Sequence, residues 1–196
     1  MRIGVFIGSF NPIHIIHEKI VKDLANDELD KVIVIPANEK YHLKNGLEKF
    51  EHRLNMLNLV FNSNSIIVSD LEKEEYHFTY QNIEILKKIY PLDELYLIIG
   101  ADNLIELNTW KNYKYLLDTC GFVVFGRNDI KIEEYINNTF TNYSNKFIIK
   151  EEIENISSTL IRNKLKRKEN VELYLNKKII DYIYQNKLYG VSENEC

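Results

Sequence analysis

The sequence predicts an α/β protein, a doubly wound, Rossmann-like parallel sheet with a small helical C-terminal cap. Three observations carry that reading. Short runs rich in Val, Ile and Phe recur along the chain, amphipathic stretches with apolar residues three and four apart lie between them, and from Ser157 onward only the helical pattern remains.

The runs are RIGVFI (2–7), KVIVIP (31–36), SIIVSD (65–70), ELYLIIG (94–100), GFVVFG (121–126) and KFIIK (146–150). Each is too short for a helix and apolar at consecutive positions, which suits a strand buried on both faces. Between them, Ile15 to Leu24, Phe50 to Phe61 and Tyr80 to Ile89 repeat apolar residues at helical steps. Strands alternating with helices pair in parallel through crossovers. The Asn-rich piece Asn137 to Asn145 reads as a surface loop. SSTLIRNKLKRK and VELYLNKKIIDYIYQNKLYG supply the helical C-terminal part, about residues 156–190, on a core of about residues 1–155. With no internal repeat and no Pro/Gly/Ser-rich linker, residues 1–196 read as a single domain.

Composition bounds the partners. The 196 residues are 45% hydrophobic, enough for a substantial core, and 25 basic against 29 acidic residues give a net charge of -4. That balance disfavours a nucleic-acid polyanion, and no basic stripe interleaved with aromatics marks an RNA-binding module. A small anion remains compatible, because a local pocket can oppose the global sign. Cys120 and Cys196 are too few for a disulfide framework and are expected to be free thiols of a reducing cytoplasm. No apolar stretch approaches the roughly 20 residues that span a bilayer, and no secretory pattern opens the chain. No membrane partner is expected; a homo-oligomer is compatible with the sequence.

The stretch GSFNPIHIIH (8–17) directly follows the first strand. In an open α/β sheet the turn from the first strand into its helix is the favoured seat for phosphate. Gly8 lets the backbone approach a ligand, Pro12 stiffens the loop, and His14 and His17, three apart at the helix start, face the same space. Imidazoles there can donate to phosphate oxygens and offset charge developing in a transition state. Neither G-x-G-x-x-G nor G-x-x-x-x-G-K-[ST] occurs, and no third ligand turns His14 and His17 into a zinc site. Far along the chain, ISSTLIR (156–162) offers Ser157, Ser158 or Thr159 as a helix cap, with Arg162 one turn in, where a planar guanidinium suits bidentate phosphate binding. Replacing Arg162 by Lys is then expected to weaken use of a phosphate-bearing ligand with little change in melting temperature.

GSFNPIHIIH resembles the G-x-F-[DN]-P-x-[HT]-x-x-H motif of the nucleotidyltransferase superfamily. ISSTLIR resembles its C-terminal motif, in the form found in nicotinate and nicotinamide mononucleotide adenylyltransferases. The resemblance covers nearly the whole chain. It implies ATP binding by Gly8, Ser9, Phe10, His14, His17, Gly100, Asp102, Ile156, Ser157, Ser158 and Arg162, with His14, His17 and Arg162 catalytic. Gly100 and Asp102 lie in LIIGADNL, which is similar to the family's I-G-x-D segment. It also implies that Asn11, His42, Lys44, Thr79, Trp110 and Arg127 bind the second substrate. Of these, Thr79 matches an S-Y-T segment, Trp110 an aromatic set beside the pyridine ring, and His42 and Lys44 the P-x-x-x-P-P-H-K stretch, followed by an R-x-x-M echoed in Arg53 and Met56. Departures are Asn11 for the usual bacterial Asp, Ile16 for Gly, Gln81 for Asp, the missing Pro-Pro before His42, and Lys44 one residue out of register.

The activity implied is transfer of AMP from ATP to nicotinate mononucleotide, with Mg²⁺ bridging phosphate oxygens and no metal-binding side chains expected. The product is nicotinate adenine dinucleotide, on the way to NAD. Rival readings are the nicotinamide mononucleotide enzyme, a pantetheine-phosphate adenylyltransferase or a cytidylyltransferase of the same superfamily, and, outside enzymes, a nucleotide-binding regulator. ISSTLIR and Trp110 argue against the second and third.

Overall fold

A computed structural model describes residues 1–38, 40, 46–126, 131–152, 154 and 156–191. Six strands, β1 (Arg2–Gly8), β2 (Lys31–Pro36), β3 (Ile66–Val68), β4 (Glu94–Gly100), β5 (Gly121–Gly126) and β6 (Phe147–Glu152), form one sheet in the order β3-β2-β1-β4-β5-β6. Every neighbouring pair is parallel. The chain winds outward in one direction from β1 to β3 and then returns to β4 on the other side. That reversal opens a crevice at the carboxyl ends of β1 and β4.

Alternation through the sheet explains why consecutive positions are apolar. In β2, Val32 and Val34 point into one core while Ile33 and Ile35 point into the other; in β5, Val123 and Phe125 oppose Phe122 and Val124. One face is covered by α1 (Ile15–Asp27), α2 (Phe50–Val60), α7 (Ser158–Lys166) and α8 (Lys177–Gln185). The other is covered by α3 (Thr79–Ile89), α4 (Ala101–Glu106), α5 (Tyr113–Thr119) and α6 (Ile132–Thr139). Helical spacing puts Ile16, Ile20 and Leu24 of α1, Ile161 and Leu165 of α7, and Ile179 and Ile183 of α8 in the first core. The C-terminal helices therefore share a core with α1 and α2.

Some expectations shift. β3 is only three residues long, and only Ile66 of it is buried, as suits an edge strand. The Asn-rich piece is not a loop: α6 runs to Thr139, and Thr141–Lys146 forms a 3-10 helix. Ile132 and Ile136, one turn apart, bury a helical face that Asn composition concealed. The C-terminal stretch is not continuously helical, since Val171 to Leu175 is mostly turn. Among the described residues, no helix is long and apolar enough to cross a membrane. Cys196 lies outside them.

Cys120 is a free thiol, 1% exposed, and burial pushes its pKa up to about 12. At pH 8 only about one molecule in ten thousand carries the reactive thiolate there. Iodoacetamide at pH 8 is therefore expected to spare Cys120 in the folded protein and label it in urea. Rapid native labelling of the Cys120 peptide, read by mass spectrometry, would contradict this burial.

Candidate active site

The loop from Ser9 to His14 that follows β1 is neither strand nor helix, so its carbonyls need partners from elsewhere. Gly8 O accepts from Ala37 N at 2.8 Å. Ser9 O accepts from Arg53 Nη1 at 2.9 Å, Asn11 O from Arg162 Nη1 at 2.8 Å, and Pro12 O from Ser158 Oγ at 2.9 Å. His14 O accepts from Glu18 N at 3.1 Å, which starts α1. Arg53 is fully buried and also donates through Nε to Glu48 O at 2.8 Å. Arg162 donates a second time, to Thr159 Oγ1 at 3.1 Å. The two motifs, almost a chain length apart, thus meet through main-chain carbonyls of the first.

Asn11 is 2% exposed, and its amide locks the loop from inside. Nδ2 donates to Gly46 O at 3.1 Å, and Oδ1 accepts from Glu48 N at 3.1 Å and from the Tyr189 hydroxyl at 3.0 Å. A carboxylate here could not donate to Gly46 O, which gives the Asn a reason. Tyr189 itself is buried, which pushes its hydroxyl pKa up, and its N–H donates to Glu48 Oε1 at 3.1 Å.

His14 caps α1, and its ring stacks on that of His17 at 3.6 Å between centroids, 21° apart. Phe10 and Phe6 hold the His17 ring edge-on at 5.2 and 5.9 Å. The imidazoles share one face, as the three-residue spacing requires. Phe10 is 2% exposed, so its side chain serves packing, and its ring lies 3.1 Å from where a Cβ on Gly8 would sit. Gly8 therefore makes room for Phe10, a role the sequence did not reveal. At Gly100 the opposite holds: nothing lies within 4 Å of an added Cβ, leaving open space at the end of β4. Asp102 is exposed in the first turn of α4. Ile156 is buried in the core. Ser157 caps α7 by accepting from Leu160 N at 3.2 Å.

A cavity of about 520 Å³ adjoins this loop, lined among others by Gly8, Ser9, Glu72, Thr79, Trp110 and Lys111. Thr79 opens α3, whose first N–H groups have no partner within the helix. Gln81 Oε1 accepts from Phe78 N at 2.9 Å and so caps α3 where the family commonly has Asp. Trp110 is half-buried rather than a core residue. Lys111 Nζ lies 4.3 Å from the Phe78 ring centre. His42, Lys44 and Arg127 fall outside the described residues. Lys111, Glu48, Tyr189 and the buried Glu72 escaped sequence reading, because nothing in a charged run or a terminal LYG distinguishes a buried polar group from a solvated one.

Among the described residues, no group of three or more His, Cys, Asp or Glu side chains could hold a metal ion.

A doubly wound sheet with an anion-ready loop at its switch point defines a nucleotide-handling α/β enzyme. The chain belongs to the cytidylyltransferase-like family, whose model matches residues 5–164. A Fusobacterium nucleatum relative named "probable nicotinate-nucleotide adenylyltransferase" is 46% identical over 184 residues, covering 91% of this chain and 95% of that protein. A Carboxydothermus hydrogenoformans protein of the same name is 34% identical over 196 residues, covering 96% and 98%. Two solved structures of the Plasmodium falciparum nicotinic acid mononucleotide adenylyltransferase share the fold. The one complexed with NaAD has a TM-score of 0.83 at 24% identity, and the one complexed with APC 0.81 at 25%. Each covers 98% of this chain and 99% of that one.

Arg162→Lys removes the planar fork that reaches both Asn11 O and Thr159 Oγ1. Because the guanidinium also braces the loop, a small stability loss accompanies the weaker binding, where the sequence led us to expect little change in melting temperature. We expect KM for ATP to rise about tenfold, with a melting shift of roughly 2–4 °C. Wild-type ATP kinetics in the variant would reduce Arg162 to a brace.

Proposed function

We propose that the protein transfers the adenylyl group of ATP to the phosphate of nicotinate mononucleotide, releasing pyrophosphate and forming nicotinate adenine dinucleotide. The observation that carries this reading is the junction of the two motifs, in which Arg162 and Ser158 at the start of α7 hold Asn11 and Pro12 just before the N-terminus of α1. Two helix N-termini, a guanidinium and two imidazoles are thereby gathered around the loop that follows Gly8 and Ser9, which line the cavity. Relatives named for this reaction support the same substrate class.

An acceptor phosphate oxygen attacks the α-phosphorus of ATP in line; the bond from that phosphorus to the β-phosphate oxygen breaks and its electrons leave with pyrophosphate. The nucleophile is already anionic, so no protein nucleophile or base is required. The chain's work is positioning and charge stabilisation. His14 and His17 hold ATP phosphates, with His17 fixed edge-on by Phe6 and Phe10. Arg162 and Ser158 receive the departing pyrophosphate, and Gly100 and Asp102 at the end of β4 face the ATP sugar. Mg²⁺, when bound, neutralises phosphate charge. The acceptor base lies in the cavity beside Trp110, with its carboxylate toward the N-terminus of α3 at Thr79 and toward Lys111. His42, Lys44 and Arg127 complete the acceptor site in this reading. Asn11 contributes by shaping the loop. The working compartment is the cytoplasm, where ATP and Mg²⁺ are supplied.

Positive features at Thr79 and Lys111 favour a carboxylate over an amide. With ATP and Mg²⁺, kcat/KM for nicotinate mononucleotide is expected to exceed that for nicotinamide mononucleotide by about tenfold or more, and phosphopantetheine to be inert. Equal or better use of the amide would reverse the substrate assignment, and absence of pyrophosphate release with every acceptor would leave a nucleotide-binding regulator.

His17→Ala removes one preorganised donor to a phosphate whose charge changes as pyrophosphate leaves. Turnover is expected to fall roughly a hundredfold, about 3 kcal/mol of transition-state stabilisation. A variant that melts early yet turns over normally would make His17 a packing residue alone.

A further inference from the structure

Glu72 lies in the segment between β3 and α3, in the run Glu72-Lys73-Glu74-Glu75, where its neighbours are exposed and it alone is buried, at 1%. Its carboxylate is fully engaged. Oε2 accepts from Asn38 N at 2.9 Å and Oε1 from Asn82 Nδ2 at 2.6 Å. The Glu72 carbonyl accepts from Asn38 Nδ2 at 2.7 Å, and Asn82 Oδ1 lies 3.1 Å from His77 Nδ1. Asn38 and Asn82 are themselves buried, at 3% and 0%. The network joins the exit of β2 to the first turn of α3. Both ends belong to the cavity wall, which Ala37, Glu72, His77, Phe78 and Thr79 line.

We propose that Glu72 is a positioning residue for the acceptor nucleotide, fixing Ala37–Asn38 and His77–Thr79 so that the N-terminus of α3 is aimed into the cavity. The proposal rests on the adenylyltransferase reading, which makes that cavity the acceptor pocket. A carboxylate is a costly way to hold two loops together: desolvation holds its pKa above the ordinary carboxylate value, against the pull of Asn38 and Asn82. Apolar packing of similar volume commonly stabilises a fold as well as a buried charge does. What a carboxylate adds is direction, because it demands two donors, and those donors sit on the two strips of wall that must stay in register.

In Glu72→Gln one amide oxygen and one NH₂ group face Asn38 N–H and Asn82 Nδ2, so Asn82 either meets a donor with a donor or turns its amide over and takes Oδ1 away from His77 Nδ1. KM for nicotinate mononucleotide is expected to rise about tenfold, while kcat and KM for ATP stay within about twofold. Amide hydrogen exchange in the Asn38 and 77–82 segments should accelerate in the unliganded protein. Adding Asn82→Asp restores the polarity, since the new amide can donate to the new carboxylate and still accept from Asn38 N, and KM should return to within about threefold of wild type. If Glu72→Gln does not fold, Asn82→Ser, which leaves Glu72 paired with Asn38, carries the same expectation. Unchanged KM and exchange, equal losses for both substrates, or no recovery in the double variant would each overturn the positioning role. A wild-type protein inactive on every pyridine mononucleotide would instead sink the adenylyltransferase reading, and the exchange measurement would still decide whether Glu72 holds the wall.

Discussion

The carbonyls of the loop between β1 and α1 point where no strand or helix can satisfy them, and most of the remaining architecture follows from how they are answered. Ser9, Asn11 and Pro12 hand their carbonyls to side chains from distant parts of the chain, Arg53 of α2 and Arg162 and Ser158 of α7, after Gly8 at the end of β1 has met Ala37 beyond β2. A buried carbonyl without a partner costs about 1–3 kcal/mol, so three of them in one short loop would outweigh a large part of a typical net stability. Donors fixed on rigid helices convert that liability into a loop with one shape, which is what a site that works by positioning requires.

The same demand explains why the C-terminal helices are built into the core. Ile161, Leu165, Ile179 and Ile183 bury their faces with α1 and α2, and this packing brings Ser158 and Arg162 to the loop. Tyr189, close to the end of the described chain, reaches Asn11 and Glu48 together. Its left-handed backbone, φ 57°, is strain that these buried hydrogen bonds offset. Removing the C-terminal helices would therefore release the loop between β1 and α1 as well as expose apolar surface.

Charge follows the same local logic. The chain as a whole is acidic at -4, yet the loop proposed to take phosphate is surrounded by uncharged donors, helix ends and a few well-placed cations. Arg53 illustrates the division of labour: it is a fully buried cation that donates to the main-chain oxygens of Ser9 and Glu48 and whose guanidinium lies 5.6 Å from the Phe50 ring centre. Its charge is spent on shape. Arg162 is half-buried, braces Asn11 and remains near enough to solvent to meet a ligand.

Sequence by itself determined the class of fold, the six strands and the two motifs, because these depend on short-range periodicity and on residue types that few other arrangements use: consecutive β-branched residues for a doubly covered sheet, Gly and Pro around paired histidines for a strand exit. It misjudged Asn137 to Asn145, where α6 runs on to Thr139 behind the buried pair Ile132 and Ile136 and a 3-10 helix follows, and it did not reveal that Gly8 also makes room for Phe10. Tertiary structure alone decided that Arg162 braces the first motif, that Asn11 is turned inward to Gly46, Glu48 and Tyr189, and that Glu72 is buried in a run of exposed charges. Each of those facts joins residues 34 to 178 positions apart. No local pattern encodes such a pairing, since it depends on which donor the packed helices carry to an unsatisfied acceptor.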